Sequence, residues 1–463
     1  MDSKHTPAFG FSASLVIPGS LSTASISSSC SYAQTQHAVA RKNAVLKMNA
    51  ADAGVSDAPP IVDKRKARRD IMASDRFNRR GFKTTKEEVE GMMTEEFTSS
   101  LIAELRQQAY TVMRGNVTVK LAKAYGFCWG VERAIAIAYE TRQQFPTETL
   151  WLTNEVIHNP IVNKRLADMG IKFVPQEGLT KDLTVVEDGD VVILPAFGAT
   201  LEEMQYLTSR GVQIVDTTCP WVSKVWNALD KHQKANCTSV IHGKWKHEET
   251  IATASFAEKY LIVLNLAEAE YVCNYIMNGG NKAEFVAKFK NAMSQGFDPD
   301  KDLQAVGIAN QTTMLKGETE EIGKLFEKTM MKKYGVENLG VHFVSMNTIC
   351  DATQERQDAM YDLIKEDELD MMLVVGGFNS SNTSHLQEIS EHANITSYWV
   401  DSPACIGPGN RIRYCTADHK EHIKDNFLPI GKKVTIGVTS GASTPDKVVE
   451  DVLERIFMIS KLG

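Results

Sequence analysis

The sequence predicts an α/β protein built as three related, pseudo-symmetric lobes with mostly parallel sheets around a shared metal centre. Three observations carry this. From residue 115 onwards short apolar runs alternate with helical patterns, as in parallel sheets covered by helices. Most of the runs end in Gly, Asn, Thr or Ser and enter a polar loop. Three cysteines, Cys128, Cys219 and Cys350, recur in one setting, an apolar run, the Cys, then a helical pattern, which marks an internal repeat.

Composition sets the outer bounds. A chain of 463 residues can bury a large core and hold several lobes. No stretch reaches the roughly 18 apolar residues of a membrane-spanning helix, so no span is expected. A net charge of −7 argues against a protein that coats nucleic acid, and no nucleic-acid-binding motif is present. Eight dispersed cysteines do not make a disulfide scaffold; metal or catalytic use of a few is the better reading. Monomer and homodimer both stay open.

Residues 1–50 differ from the rest. They are rich in Ser and Thr, have Asp2 as their one acid, and carry Arg41, Lys42 and Lys47 late. That is the composition of an organelle transit peptide, and the high Ser content favours a plastid over a mitochondrion. A disordered tail is the plainer alternative. Residues 51–63 read as linker, 64–83 as a strongly basic stretch, and 84–110 as an acidic helical segment. The basic stretch is either an amphipathic arm packed on the body or a docking surface for an acidic partner, with Arg68, Arg69, Arg79 and Arg80 as its cations. Beyond the 51–114 extension, lobes are expected at 115–218, 219–349 and 350–463. Their strands include VTVKLA (117–122), DVVILPAFG (190–198), TSVIHG (238–243), VGIANQ (306–311), MMLVVGG (371–377) and VTIGVTSG (434–441).

A Cys between a strand and a helix sits by the helix's positive end, which is expected to lower its pKa and favour the thiolate. Three such thiolates on one axis would hold a metal centre and leave one position open. Zinc ribbons need close pairs such as CxxC, and there are none here. Iron–sulfur clusters accept distant cysteines. The bland alternative is three ordinary buried thiols. Cys30, Cys237, Cys273, Cys405 and Cys415 lack the repeated setting.

Ligands of parallel sheets collect at the carboxyl ends of strands. There the sequence places His158 in TNEVIHNP, and His242, His247, Glu248 and Glu249 in IHGKWKHEET. The loops NQTT (310–313), NSSNTSH (379–385) and TSGASTPD (439–446) are dense in hydroxyls and amides that suit phosphate oxygens, although such residues also cap helices. No GxxxxGK[ST] or GxGxxG is present, so nucleotide binding is not favoured. An aconitase-like hydro-lyase and an iron–sulfur sensor share parts of this pattern. The first needs no net electron input and the second no diphosphate-ready loops.

GFCWGVERAI, EVIHNP, DTTCPWVSKV, KHEET, NQTTM, TICDATQERQ, NSSNTSH and VTSGASTPD together resemble the 4-hydroxy-3-methylbut-2-enyl diphosphate reductases, in their plant and cyanobacterial branch, from about residue 60 to the end. The resemblance implies three α/β lobes around a [4Fe–4S] cluster held by Cys128, Cys219 and Cys350, with one iron open to the substrate's hydroxyl oxygen. It implies diphosphate contacts from His158, His247, Ser380, Asn382 and Ser443, with Ser381 in the same loop. It implies Glu249 as proton donor and Thr312 beside substrate and relay water. A reduced ferredoxin is the implied electron donor in a plastid. Two positions depart from the wider family: Glu248 stands where a Pro precedes the acid, and Phe197 replaces a diphosphate-binding His.

Overall fold

The computed structural model describes residues 63–366 and 368–462. The expected transit peptide and nearly all of the linker lie outside the described residues. Within them the chain forms three large sheets whose central strands share one order, and a small two-stranded sheet of Gln176–Glu177 and Thr180–Lys181. In the first, Lys172–Phe173, Leu150–Leu152, Val191–Leu194 and Gln213–Asp216 lie side by side and parallel. In the second the order is Tyr260–Val263, Thr238–His242, Val306–Asn310 and Phe343–Ser345, again all parallel. The third repeats it with Ser397–Val400, Met371–Val375, Val434–Ser440 and Val117–Leu121. Among the three large sheets, antiparallel strands are added at the margins of this last one.

The strand before each expected metal-binding cysteine is the fourth of its set: Val117–Leu121, Gln213–Asp216 and Phe343–Ser345. The helix after it packs on the next sheet. Ala134, Ile135, Ala138 and Tyr139 of the Trp129–Gln144 helix join Leu150, Leu152 and Ile193 of the first sheet in one core. Val225 and Leu229 of the Pro220–Lys234 helix share a core with Val240 and Ile308 of the second. Ala359, Met360 and Leu363 of the Asp351–Glu366 helix meet Met372 and Val374 of the third.

The lobe boundaries expected at 115, 219 and 350 therefore group the chain differently from the sheets. Val117–Leu121 was assigned to the first lobe, but pairs with Val434–Ser440 and completes the third. Each cysteine is a crossing point between lobes. A local reading cannot see this, because the pairing joins strands more than 300 residues apart.

The N-terminal extension is built into the body. Phe77–Asn78 adds a parallel strand beside Gln213–Asp216. The Lys64–Met72 helix, capped by the Asp63 carboxylate, places Lys64 Nζ 2.8 Å from the carbonyls of Ser255 and Ala257. Those are the orphan carbonyls at the end of the Glu248–Ser255 helix, so a lysine of the extension caps the helix that carries Glu249. Arg68 is buried, its guanidinium 5.1 Å from the Trp226 ring and 5.3 Å from Phe256, with Asp230 at 3.9 Å. Arg79 pairs with the buried Asp216 at 3.2 Å and hydrogen-bonds Ser223. Two of the four cations expected on a docking surface thus hold the fold, while Arg69 and Arg80 remain exposed.

Candidate metal and anion site

The three thiols come together where the lobes meet. A Cβ placed on Gly130 would lie 2.6 Å from Cys219 Sγ and 3.8 Å from Cys128 Sγ, so only glycine fits in that turn. Cys350 Sγ accepts from the Thr353 amide at 3.2 Å and lies within electrostatic reach of both other thiols. The backbone repeats three times: the amide of each cysteine donates to the loop after the neighbouring strand. Cys128 N–H meets Ala442 O at 3.2 Å, Cys219 N–H meets Ala196 O at 2.8 Å, and Cys350 N–H meets Thr312 O at 3.5 Å.

In bare Cys219 and Cys350 the expected lowering of the thiol pKa does not occur. Helix-start amides do favour the thiolate. Burial outweighs them, and the neighbouring thiols oppose ionisation further. Cys219 is pushed up to about 11 and Cys350 to about 12. A cationic centre reverses that balance, because a coordinating thiol is deprotonated outright. The set fits such a group: three converging sulfurs, a glycine cradle, and Arg356. This buried guanidinium donates to the carbonyls of Ala352, Tyr125 and Gly126. Its Nε has no partner, and its charge faces Cys128 and Cys350. Nothing in QERQ distinguished Arg356 from an exposed helix charge.

A second ring of loops surrounds the thiols, each running from the second strand of its sheet into a helix start. Asn159 caps the Pro160–Asp168 helix, His247 the Glu248–Ser255 helix and Ser380 the Ser381–His392 helix. His158 is clamped. Its Nδ1 faces Glu155 Oε2 at 3.1 Å, and its ring stacks on Phe197 at 4.9 Å with 15° between planes. His247 meets its edge at 5.4 Å, and Ser443 Oγ donates to its carbonyl at 3.2 Å. Gly377 approaches so closely that a Cβ there would lie 2.6 Å from His158 O. Asn379 Nδ2, 2.8 Å from Glu155 Oε2, completes the clamp, a role its sequence context did not reveal.

His247 Nδ1 accepts the Glu249 amide at 3.1 Å, so in the neutral ring the proton sits on Nε2. Burial keeps that ring neutral, with its pKa well below the usual value. Asn382 Oδ1 accepts the Ala442 amide at 2.9 Å, leaving Nδ2 buried without a partner, as is His158 Nε2. Ser381 Oγ receives Gln311 Nε2 at 3.1 Å. Buried donors left unpaired are costly, and they mark where an anion's oxygens belong. His242 stands apart, its Nδ1 2.7 Å from Thr319 Oγ1 and its Nε2 facing Glu318 at 3.6 Å.

Glu249 is a carboxyl set deep in this site, 3% exposed. It accepts the Thr312 amide at 2.6 Å and the Thr312 hydroxyl at 2.9 Å. Burial raises its pKa to about 7 despite those two donors. It lies within electrostatic reach of the Cys219 thiol. A proton holder tuned near neutrality, close to the Cys219 sulfur and a cradle for anions, is equipped to protonate a group leaving from an anionic substrate.

Comparison with known proteins gives the same picture. A family model described as LytB protein matches residues 119–457. The 4-hydroxy-3-methylbut-2-enyl diphosphate reductases of Gloeothece citriformis and Microcystis aeruginosa are 61% and 62% identical to this chain, in each case over 86% of it and 98% of the relative. A solved structure of the E-1-hydroxy-2-methyl-but-2-enyl-4-diphosphate reductase from Plasmodium falciparum aligns with a TM-score of 0.54 at 22% identity. It covers 73% of this chain and 86% of that one, a likeness of fold.

Proposed function

This chain belongs to the LytB family, and we propose that it is a 4-hydroxy-3-methylbut-2-enyl diphosphate reductase acting at the last step of the methylerythritol phosphate route to isoprenoids. Two electrons and two protons convert the allylic alcohol to isopentenyl or dimethylallyl diphosphate and water. The observation that carries this reading is the placement of the Glu249–Thr312 pair beside three convergent thiols.

Cys128, Cys219 and Cys350 would hold a [4Fe–4S] cluster with one iron free of protein ligands, which when bound supplies electrons and a Lewis acid for the allylic C–O bond. His158, His247, Ser380, Ser381, Asn382 and Ser443 bind the diphosphate, spending binding energy on placing the reacting carbon. Glu249 gives its proton to the departing oxygen, which leaves as water. Thr312, donating through both N–H and hydroxyl, then steadies the carboxylate left behind. Burial of the pair keeps bulk water from supplying the proton instead.

The donor fitting an exposed basic stretch is a small acidic ferredoxin, with Arg69 and Arg80 the two of the four arginines left exposed to meet it. The Ser-rich, acid-poor leader supports import into a plastid. No helix among the described residues is long and apolar enough to cross a membrane.

Anaerobic purification with iron and sulfide analysis, followed by turnover of the diphosphate with and without a reduced donor, tests the proposal. Iron-bearing protein that forms both products only with reductant is expected. Colourless, iron-free but folded protein would end the cluster assignment, and turnover without reductant would favour a hydro-lyase.

A further inference from the structure

Glu248, which stands where the resembled family carries Pro, places Oε2 3.7 Å from His158 Nε2. That nitrogen is buried and has no hydrogen-bond partner. The ring cannot turn to find one. Asn379 Nδ2 donates to Nδ1 at 3.2 Å, which leaves the ring proton on Nε2 as a donor; Phe197 covers one face, His247 abuts it, and Ser443 and Gly377 fix its backbone. Nε2 therefore points into the anion cradle, and the anionic group nearest it is Glu248. Glu248 is the first residue of its helix, with a side chain 27% exposed. Among the described residues no Lys or Arg pairs with Glu248, and the group that faces its carboxylate is His158 Nε2. Such a side chain can swing outward at small cost, unlike the buried Glu249.

A carboxylate in a cradle of anion donors is a misfit once a diphosphate arrives, because the two like charges cannot share Nε2. We propose that Glu248 is a resident stand-in for a diphosphate oxygen. It satisfies His158 in the empty site, yields to the substrate, and returns to help expel the product diphosphate. The proposal rests on the diphosphate reading of this site and adds the competitor built into it. A site of two histidines and Glu248 for a divalent cation fits less well, since His247 Nδ1 is occupied by the Glu249 amide and Nε2 then carries the proton.

Inorganic pyrophosphate is the probe, titrated into anaerobically purified holoenzyme by calorimetry. Glu248→Gln and Glu248→Ala should both bind it about fivefold more tightly than wild type, the weight of one partly exposed polar contact. In turnover, both should lower KM for the diphosphate substrate by a similar factor. Iron content per chain reports folding of each variant. Equal or weaker pyrophosphate binding in both variants would overturn the proposal. Loss of wild-type affinity on adding a chelator would overturn it too, because Glu248 would then be holding a cation. Wild-type holoenzyme that ignores pyrophosphate would instead sink the diphosphate reading itself.

Discussion

The ring of thiols and the ring of loops around it are built on one repeated backbone, yet they use it in opposite ways. In the inner ring the repeat is kept: the same strand position, the same amide-to-loop bond and the same residue type occur three times. In the outer ring the backbone recurs but the side chains diverge. The loops that receive the cysteine amides carry Phe197, Thr312 and Ser443. The helix starts facing them carry His158, the His247–Glu249 run and Ser380–Asn382. Threefold equivalence suits a centre that needs equal ligands. An elongated, one-ended anion needs the equivalence broken, and the breaks are where the proposed diphosphate site lies.

If the inner ring is equivalent, serine at 128, 219 or 350 should cost the same. Each variant should lose most of its iron and at least about 10³-fold of its turnover. One variant with wild-type iron and activity would break the symmetry. In the outer ring the loss should depend on which lobe is altered. Glu249→Gln should keep its iron yet lower kcat by about 10²- to 10⁴-fold. Its counterpart helix start offers no second acid.

The pH dependence of Glu249 follows from its raised pKa, about 7 against an ordinary carboxyl value of 4.5. Below about 7 the folded protein holds a proton ready to give, so kcat should fall as pH rises past that value. Stability follows the same group. Between about 4.5 and 7 the folded state binds more protons than the unfolded one, so its contribution declines as pH climbs through that window. A pH–rate profile and melts at several pH values, each lacking these features in Glu249→Gln, check both.

Smaller effects probe what joins the rings. Arg356→Met removes a buried cation facing two thiols, and about tenfold faster iron loss under a chelator is expected. Smaller still, Arg68→Ala should lose about 1–2 kcal/mol of stability through its aromatic stack. Arg80→Ala should leave melting alone and slow ferredoxin-driven turnover a few-fold at low salt only. Equal melting shifts in the two arginine variants would erase the distinction between structural and exposed cations.

The inner ring was legible in the sequence because its signal is local: an apolar run, a Cys and a helical pattern. The outer loops were legible for the same reason, as polar clusters at strand ends. What escaped was set by distant pairing or by burial. The phase of the repeat depends on Val117–Leu121 meeting Val434–Ser440. Arg68 and Arg79 belong to a charge run that reads as solvated, but tertiary contacts claim them. Helix proximity alone predicts ionised thiols, and for Cys219 and Cys350 burial reverses the sign.

The out-of-phase repeat has a consequence for how the protein matures. A ribosome delivers Cys128 first among the three ligands, yet Val117–Leu121 lacks its parallel neighbour until Val434–Ser440 has been synthesised, and the Cys128 amide lacks its acceptor until Ala442 follows. The earliest of the three cysteines made is thus the last to gain its backbone partner. If the three hold a metal centre as proposed, its assembly waits for the end of synthesis, and a chain truncated before residue 434 should bind less iron than the full one.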